Sequence, residues 1–193
     1  LTAVGHMQDG PPKEVAGDLV YDLEVRQNRS DVLSLMGVAR EAAAVLNEEL
    51  KTPEAYAQQL PEPHGDTQVT IDDPELGYRF NTVTITGLTV GPSPDWLVQK
   101  LEAYGIKSVN NLVDITNYVM VEIGQPLHAF DQAKLAESHL IVRSAKEGET
   151  LTVLGGKQLT LTTDDLVIAD PSKVVALAGV IGGEETGVSD QTT

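Results

Sequence analysis

The chain has 193 residues, 41% hydrophobic and 4% aromatic, with 29 acidic and 13 basic side chains for a formal net charge of −16. That length holds one substantial domain or two small ones built on Val, Leu, Ile and Ala, and no apolar run nears the roughly 18 residues needed to span a bilayer, so no membrane segment is expected. The absence of cysteine excludes disulfides, thiolate zinc sites and a cysteine nucleophile and fits a cytoplasmic protein, while the acidic balance excludes strong RNA binding by this chain alone, because phosphate affinity comes from Lys and Arg.

Residues 1–17 are polar and rich in Gly and Pro, and are expected as a linker or a cloning-derived tail ahead of one module over 18–193. Their start lacks the basic-then-apolar pattern of a signal peptide. Residues 18–26 alternate, with Leu19, Tyr21, Leu23 and Val25 on one face, which predicts a strand with one buried side. Asn28, Arg29, Ser30 and Asp31 form a turn that offers helix caps. Val32, Leu35, Met36, Ala39, Ala42, Ala43 and Leu46 then follow a helical period up to about residue 50.

Pro53, Pro61 and Pro63 predict a loop over 51–66. Residues 69–90, rich in Thr, Val and Ile, predict two strands broken near 74–77. A short helix follows, with Ser93 as its cap, Pro94 at its first position and Gly105 at its end. Residues 110–123 predict a helix capped by Asn110 and stopped by Gly124. Beyond it the pattern is β: a strand at 139–144, a hairpin of 150–154 with 157–161 around Gly155–Gly156, and strands at 166–169 and 174–180 about a Pro171 turn. Helices and strands mix without a βαβ rhythm, so the expected class is α+β.

Polar residues concentrate at Asp114, Thr116, Asn117, Gln125, His128 and Asp131. A helix that stops at Gly124 and turns at Pro126 can bring Asn117 and His128 to one pocket wall, and histidine carries protons near neutral pH. The competing readings are a structural hydrogen-bonding histidine, an asparagine spent on capping or loop bonds, and Asp131 as the cap of 132–135. Gly182–Gly183 either lets backbone approach a ligand closely or forms a plain turn. No phosphate-binding GxxxxGK[ST] and no G-x-S-x-G is present. His6, His64, His128 and His139 show no metal spacing, and the dispersed carboxylates suggest no paired-carboxylate hydrolase. No bound metal is expected.

The run Asn111-Leu112-Val113-Asp114-Ile115-Thr116-Asn117-Tyr118-Val119-Met120, continued by Gly124-Gln125-Pro126-Leu127-His128-Ala129-Phe130-Asp131, closely resembles the signature of the B3/B4 module of bacterial phenylalanyl-tRNA synthetase β subunits. Asp22-Leu23-Glu24-Val25 with Asn28, Arg29 and Asp31 resembles the family's entry strand and turn. Residues 176–183, with Glu184, Gly187 and Val188, resemble its glycine-rich segment. The resemblance implies a three-layer β/β/α arrangement with mixed sheets. It implies a module that hydrolyses tyrosine wrongly attached to tRNA(Phe), within a ligase that charges this tRNA with phenylalanine.

Carried over by motif, His128 and Asn117 match catalytic positions of the editing pocket, with Thr116, Pro126, Ala129, Gly182 and Gly183 lining the substrate. The resemblance implies no cofactor in this stretch, since ATP and Mg2+ serve the parent enzyme outside it. The implied partners are the tyrosine-bearing 3′ end of tRNA(Phe) and the α subunit of an α2β2 enzyme. Gln27 and Ser30 stand where the family often has proline, and Lys107 where arginine is expected. The family's tyrosine-reading glutamate lies on a strand expected beyond Thr193, so the module is expected to be truncated at its C-terminal end. The alternatives are a scaffold or tRNA-positioning module without chemistry, and a free-standing protein that edits in trans.

Overall fold

The computed structural model describes residues 5–53 and 65–193. The chain forms two compact units, each assembled from two stretches: 1–59 with 91–127, and 60–90 with 128–193. The loop expected over 51–66 lies mostly outside the described residues.

In the first unit, β1 (Met7–Gln8) pairs antiparallel with β4 (Leu23–Glu24), and β2 (Lys13–Val15) with β3 (Asp18–Val20). The stretch expected as a linker thus contributes two strands. The single strand expected over 18–26 is divided into β3 and β4, and its intended inner face is largely open, with Leu19 and Tyr21 exposed. Alternation alone did not bury that face, because a strand this short takes its burial from whichever neighbour it finds.

Helix α1 (Leu35–Leu46) starts where the Ser34 hydroxyl accepts a hydrogen bond from the Gly37 amide, and ends at Asn47 in the left-handed conformation. Ahead of it, Arg29 makes a bidentate pair with Asp31 and reaches Glu41 at 2.7 Å. A Cβ on Gly37 would lie 2.0 Å from the Asp31 carbonyl oxygen. Gly37→Ala is therefore expected to destabilise the chain by about 1–3 kcal/mol despite alanine's better helix propensity. Urea unfolding checks this, and an unchanged midpoint would mean the turn and helix separate without loss.

Helices α2 (Asp95–Tyr104) and α3 (Asn111–Ile123) pack through Leu97, Leu101 and Val121, with Ile106 and Tyr118 against them. Trp96 meets Tyr118 edge to face at 5.5 Å. The Asn110 side chain accepts from the Val113 amide, and Gly124 closes α3 at φ 80°, a left-handed geometry that suits glycine. Ser93 does not cap α2 as expected. Its hydroxyl goes to Asp114 instead, and Pro94 takes the cap position without a side-chain bond.

The second unit is built on a mixed five-stranded sheet in the order β11 (Ile181–Gly182), β10 (Val174–Leu177), β9 (Leu166–Ala169), β6 (His139–Ser144), β5 (Gln68–Ile71). Only β5 and β6 run parallel. Val167 and Val174 join one apolar cluster with Ala145, Leu151, Val153 and Leu161. Ile168, Val175 and Ala176 join another with Leu135 and Leu140, so both faces of the sheet are buried. A register shift between Val174 and Ala176 puts two consecutive residues of β10 into that second cluster.

Hairpin β7 (Thr150–Thr152) to β8 (Gln158–Thr160) turns through Gly155 and Gly156 at φ 93° and 80°, as predicted. The Pro171 turn is organised by buried Asp170, which accepts from the Ser172 and Lys173 amides and from the Ser172 hydroxyl. Arg143 grips Glu149 with two 2.8 Å bonds. The second strand expected within 69–90 does not form. After β5 the chain runs irregularly to α2, leaving Tyr78, Val83 and Ile85 exposed. β-branched composition yields a strand only where a neighbour completes the ladder. The chain is α+β with a mixed sheet, and among the described residues no helix is long and apolar enough to cross a membrane.

Candidate functional site

The sequence-predicted residues divide between the units: Asn117, Thr116 and Pro126 fall in the first, and His128, Ala129, Gly182 and Gly183 in the second. On α3, the Thr116 hydroxyl donates to the Val113 carbonyl at 2.7 Å and is spent on its own helix. The half-buried Asn117 side chain has no hydrogen-bond partner among the described residues, so it is neither a cap nor a loop staple. Pro126 is exposed. Asp114, fully buried, accepts from Ser93 Oγ and Ser108 Oγ at 2.5 Å each and from the Val109 amide at 2.9 Å. Its polarity is explained by this knot beneath the helix.

In the second unit the structure brings His128 against Gly182. A Cβ on Gly182 would fall 2.2 Å from Cε1 and 2.5 Å from Nε2 of the imidazole, so the ring occupies the space that any side chain there would need. Its other neighbour is Phe130, edge to face at 4.5 Å. His128 remains exposed as a residue, and its ring nitrogens have no hydrogen-bond partner among the described residues. Shielding from water by these neighbours lowers its pKa below the ordinary histidine value. The imidazole is therefore neutral at pH 7, with one nitrogen able to accept a proton.

The rest of the turn is fastened to the glycine segment. Phe130 pairs with Gly187 across an isolated bridge, and the Asp131 amide donates to the Thr186 carbonyl at 2.9 Å. The Asp131 carboxylate accepts from the Ala133 amide, as a cap does, and from the Thr192 hydroxyl at 2.8 Å. The Lys134 ammonium donates to the Gly187 carbonyl at 2.7 Å. Gly183 is equally confined, since its Cβ would sit 2.6 Å from the Val175 carbonyl oxygen. Phe130 and Lys134 were not singled out from the sequence. Phe130 had a signal, as one of only two phenylalanines, set two residues from His128. Among the described residues, no group of three or more His, Asp or Glu side chains is placed to hold a metal ion.

These features define an α+β fold in which the His128 ring lies between Gly182 and Phe130. The family described as the B3/4 domain matches residues 77–193, and the chain belongs to that family. It is 46% identical over 177 residues to the "Phenylalanine--tRNA ligase beta subunit" of Geobacter sulfurreducens, covering 91% of this chain and 22% of that protein. The protein of the same description from Carboxydothermus hydrogenoformans is 47% identical over 177 residues, with the same coverage. The chain thus spans about a fifth of the length of these relatives. A solved structure described as an N-terminal fragment of the phenylalanyl-tRNA synthetase β subunit from Pyrococcus horikoshii covers 97% of this chain and 57% of its own, at 18% identity and TM-score 0.46.

Proposed function

We propose that this chain is the proofreading part of a phenylalanine–tRNA ligase β subunit and hydrolyses the ester of tyrosine mischarged onto tRNA(Phe). In this reading the parent enzyme works in the cytoplasm with an α subunit and charges tRNA(Phe) with phenylalanine, using ATP and Mg2+ held outside this chain. The observation that supports it is the His128 imidazole, packed between Gly182 and Phe130 and, among the described residues, without a hydrogen-bond partner. Two relatives at 46% and 47% identity carry the ligase name.

The chemistry needs no serine or cysteine nucleophile. Water adds to the ester carbonyl, the C–O bond to the ribose breaks, and the ribose oxygen leaves with a proton. His128 takes the proton from the attacking water or orients that water, a role its neutral form allows. Within the second unit, Gly182 backs the His128 ring and leaves room beside it that a larger side chain would fill. Proofreading is needed because a pocket made for phenylalanine cannot strongly reject an analogue that adds only a hydroxyl.

The test is hydrolysis of tyrosyl-tRNA(Phe), with phenylalanyl-tRNA(Phe) as control, by this chain and by a version extended past Thr193. Selective clearance of tyrosine by either form supports the reading. His128→Ala is expected to lower that rate about 10²–10⁴-fold. Rates no faster than buffer from both forms would favour a module that positions tRNA without chemistry. Because the His128 pKa is depressed, hydrolysis should fall as pH drops below the ordinary histidine range and stay level above it. An NMR titration of the ring should show a midpoint below about 6.5.

A further inference from the structure

A proton-carrying imidazole is usually oriented by a carboxylate or carbonyl that accepts from one ring nitrogen and so fixes where the other points. Among the described residues neither nitrogen of His128 has such a partner, so its orientation falls to packing. Two surfaces supply that packing, and both belong to the second unit. Gly182 is one, since its backbone lies against the Cε1–Nε2 side of the imidazole. The Phe130 ring is the other, with planes 79° apart. Both surfaces are referred to β10. Gly182 pairs with Ala176, and its carbonyl accepts from the Leu154 amide at 3.1 Å. Phe130 packs against the buried cluster that contains Ala176 with Leu135, Leu140, Ile168 and Val175. The gap that holds the imidazole is therefore set by the sheet.

We propose that Phe130 is a positioning residue, whose ring holds the His128 imidazole in one orientation against Gly182. The proposal rests on the proofreading reading above, in which His128 handles the attacking water; Phe130 acts through His128 and touches no substrate. Edge-to-face contact between rings is directional, because the positive edge of one meets the negative face of the other. An aliphatic side chain of similar size fills the space without directing the ring. Phe130 also keeps water from one side of the imidazole, and shielding of this kind is what lowers the His128 pKa. Phe130 is itself held in place. Its backbone bridges to Gly187, and the next residue, Asp131, is bonded to the Thr186 carbonyl and the Thr192 hydroxyl. Orientation matters to the rate because a misplacement of about 1 Å can cost roughly a hundredfold.

The experiment compares the 193-residue chain with Phe130→Leu and Phe130→Tyr. NMR of the His128 ring reads its rotamer and titration midpoint without substrate, and hydrolysis of tyrosyl-tRNA(Phe) is measured in parallel. The parent should show one rotamer with close contacts to Phe130. In Phe130→Leu the rotamer should average and the midpoint should rise, with kcat falling about tenfold and KM little changed. Phe130→Tyr keeps the ring and should restore all three readouts. A loss of stability alone would leave the rotamer and midpoint of the folded chain where they were. An unmoved rotamer and midpoint in Phe130→Leu would overturn the proposal, as would an unchanged kcat beside an active parent. A folded Phe130→Tyr that restores nothing would overturn it too, by assigning the effect to bulk packing. A parent that hydrolyses no tyrosyl-tRNA(Phe) removes the proofreading reading, and the NMR arm then decides the orientation by itself.

Discussion

Asp114→Ala is expected to lower the stability of the chain by about 3 kcal/mol, the largest single-residue effect in the first unit. The carboxylate is fully buried and collects the Ser93 and Ser108 hydroxyls and the Val109 amide. Truncation leaves three donors facing a small void, and a stranded buried donor costs about 1–3 kcal/mol. The two hydroxyls can rotate toward other acceptors, which keeps the total below the sum. Burial by itself would raise the pKa of this acid. The bonds from Ser108, Ser93 and the Val109 amide outweigh it, and the net direction is down. Folding therefore binds the deprotonated form more tightly. That contribution is complete above the unfolded-state pKa and is lost as pH falls through the lower folded-state pKa. Urea unfolding across acidic pH checks both statements. A variant as stable as the parent at pH 7 would mean that the knot contributes nothing, and a deficit that does not shrink in acid would mean that the contribution does not depend on ionisation of Asp114.

Gly182→Val is expected to abolish the hydrolysis proposed for the chain, by about 10²-fold or more, without unfolding it. The new Cβ would need the space now held by Cε1 and Nε2 of His128. The imidazole is a side chain at an exposed residue, so it is the group that gives way. It should leave Phe130 and swing into water. The ring's titration midpoint should then rise toward 6.5, because the shielding that lowers it is gone. This second readout needs no substrate. A risen midpoint with unchanged hydrolysis would keep the geometry and remove His128 from the chemistry. An unmoved midpoint would show that the wall yields instead of the ring.

Local signals served the sequence reading well where one residue decides the backbone. Asn110 and Gly124 marked both ends of α3, and Gly155–Gly156 marked the hairpin, because caps and tight turns are settled by the chain within a few residues. The reading failed where pairing with distant chain decides. Val83 and Ile85 have strand-forming side chains and no strand, and the short strand at Met7–Gln8, which pairs with Leu23–Glu24, arises in a stretch that reads as linker. Polar clustering identified Asp114 as needing partners but could not name Ser93 and Ser108, which come from the segment leading into α2 and the segment between α2 and α3. At the site, motif resemblance selected His128 and Gly182, and their contact is observed. The support from Lys134 was invisible, because it binds a carbonyl 53 positions along the chain.

The parallel pairing of β5 with β6 has a consequence for synthesis. Gln68 pairs with His139, and all of α2 and α3 is made between them. On a ribosome adding about 5–20 residues per second, β5 waits roughly 4–14 s for its neighbour. The other strands of that sheet find partners sooner, since β9, β10 and β11 follow one another through short connections. During the wait, Val69 and Ile71 have no ladder, and only the polar Gln68 and Thr70 between and beside them make that nascent strand a poor template for another chain.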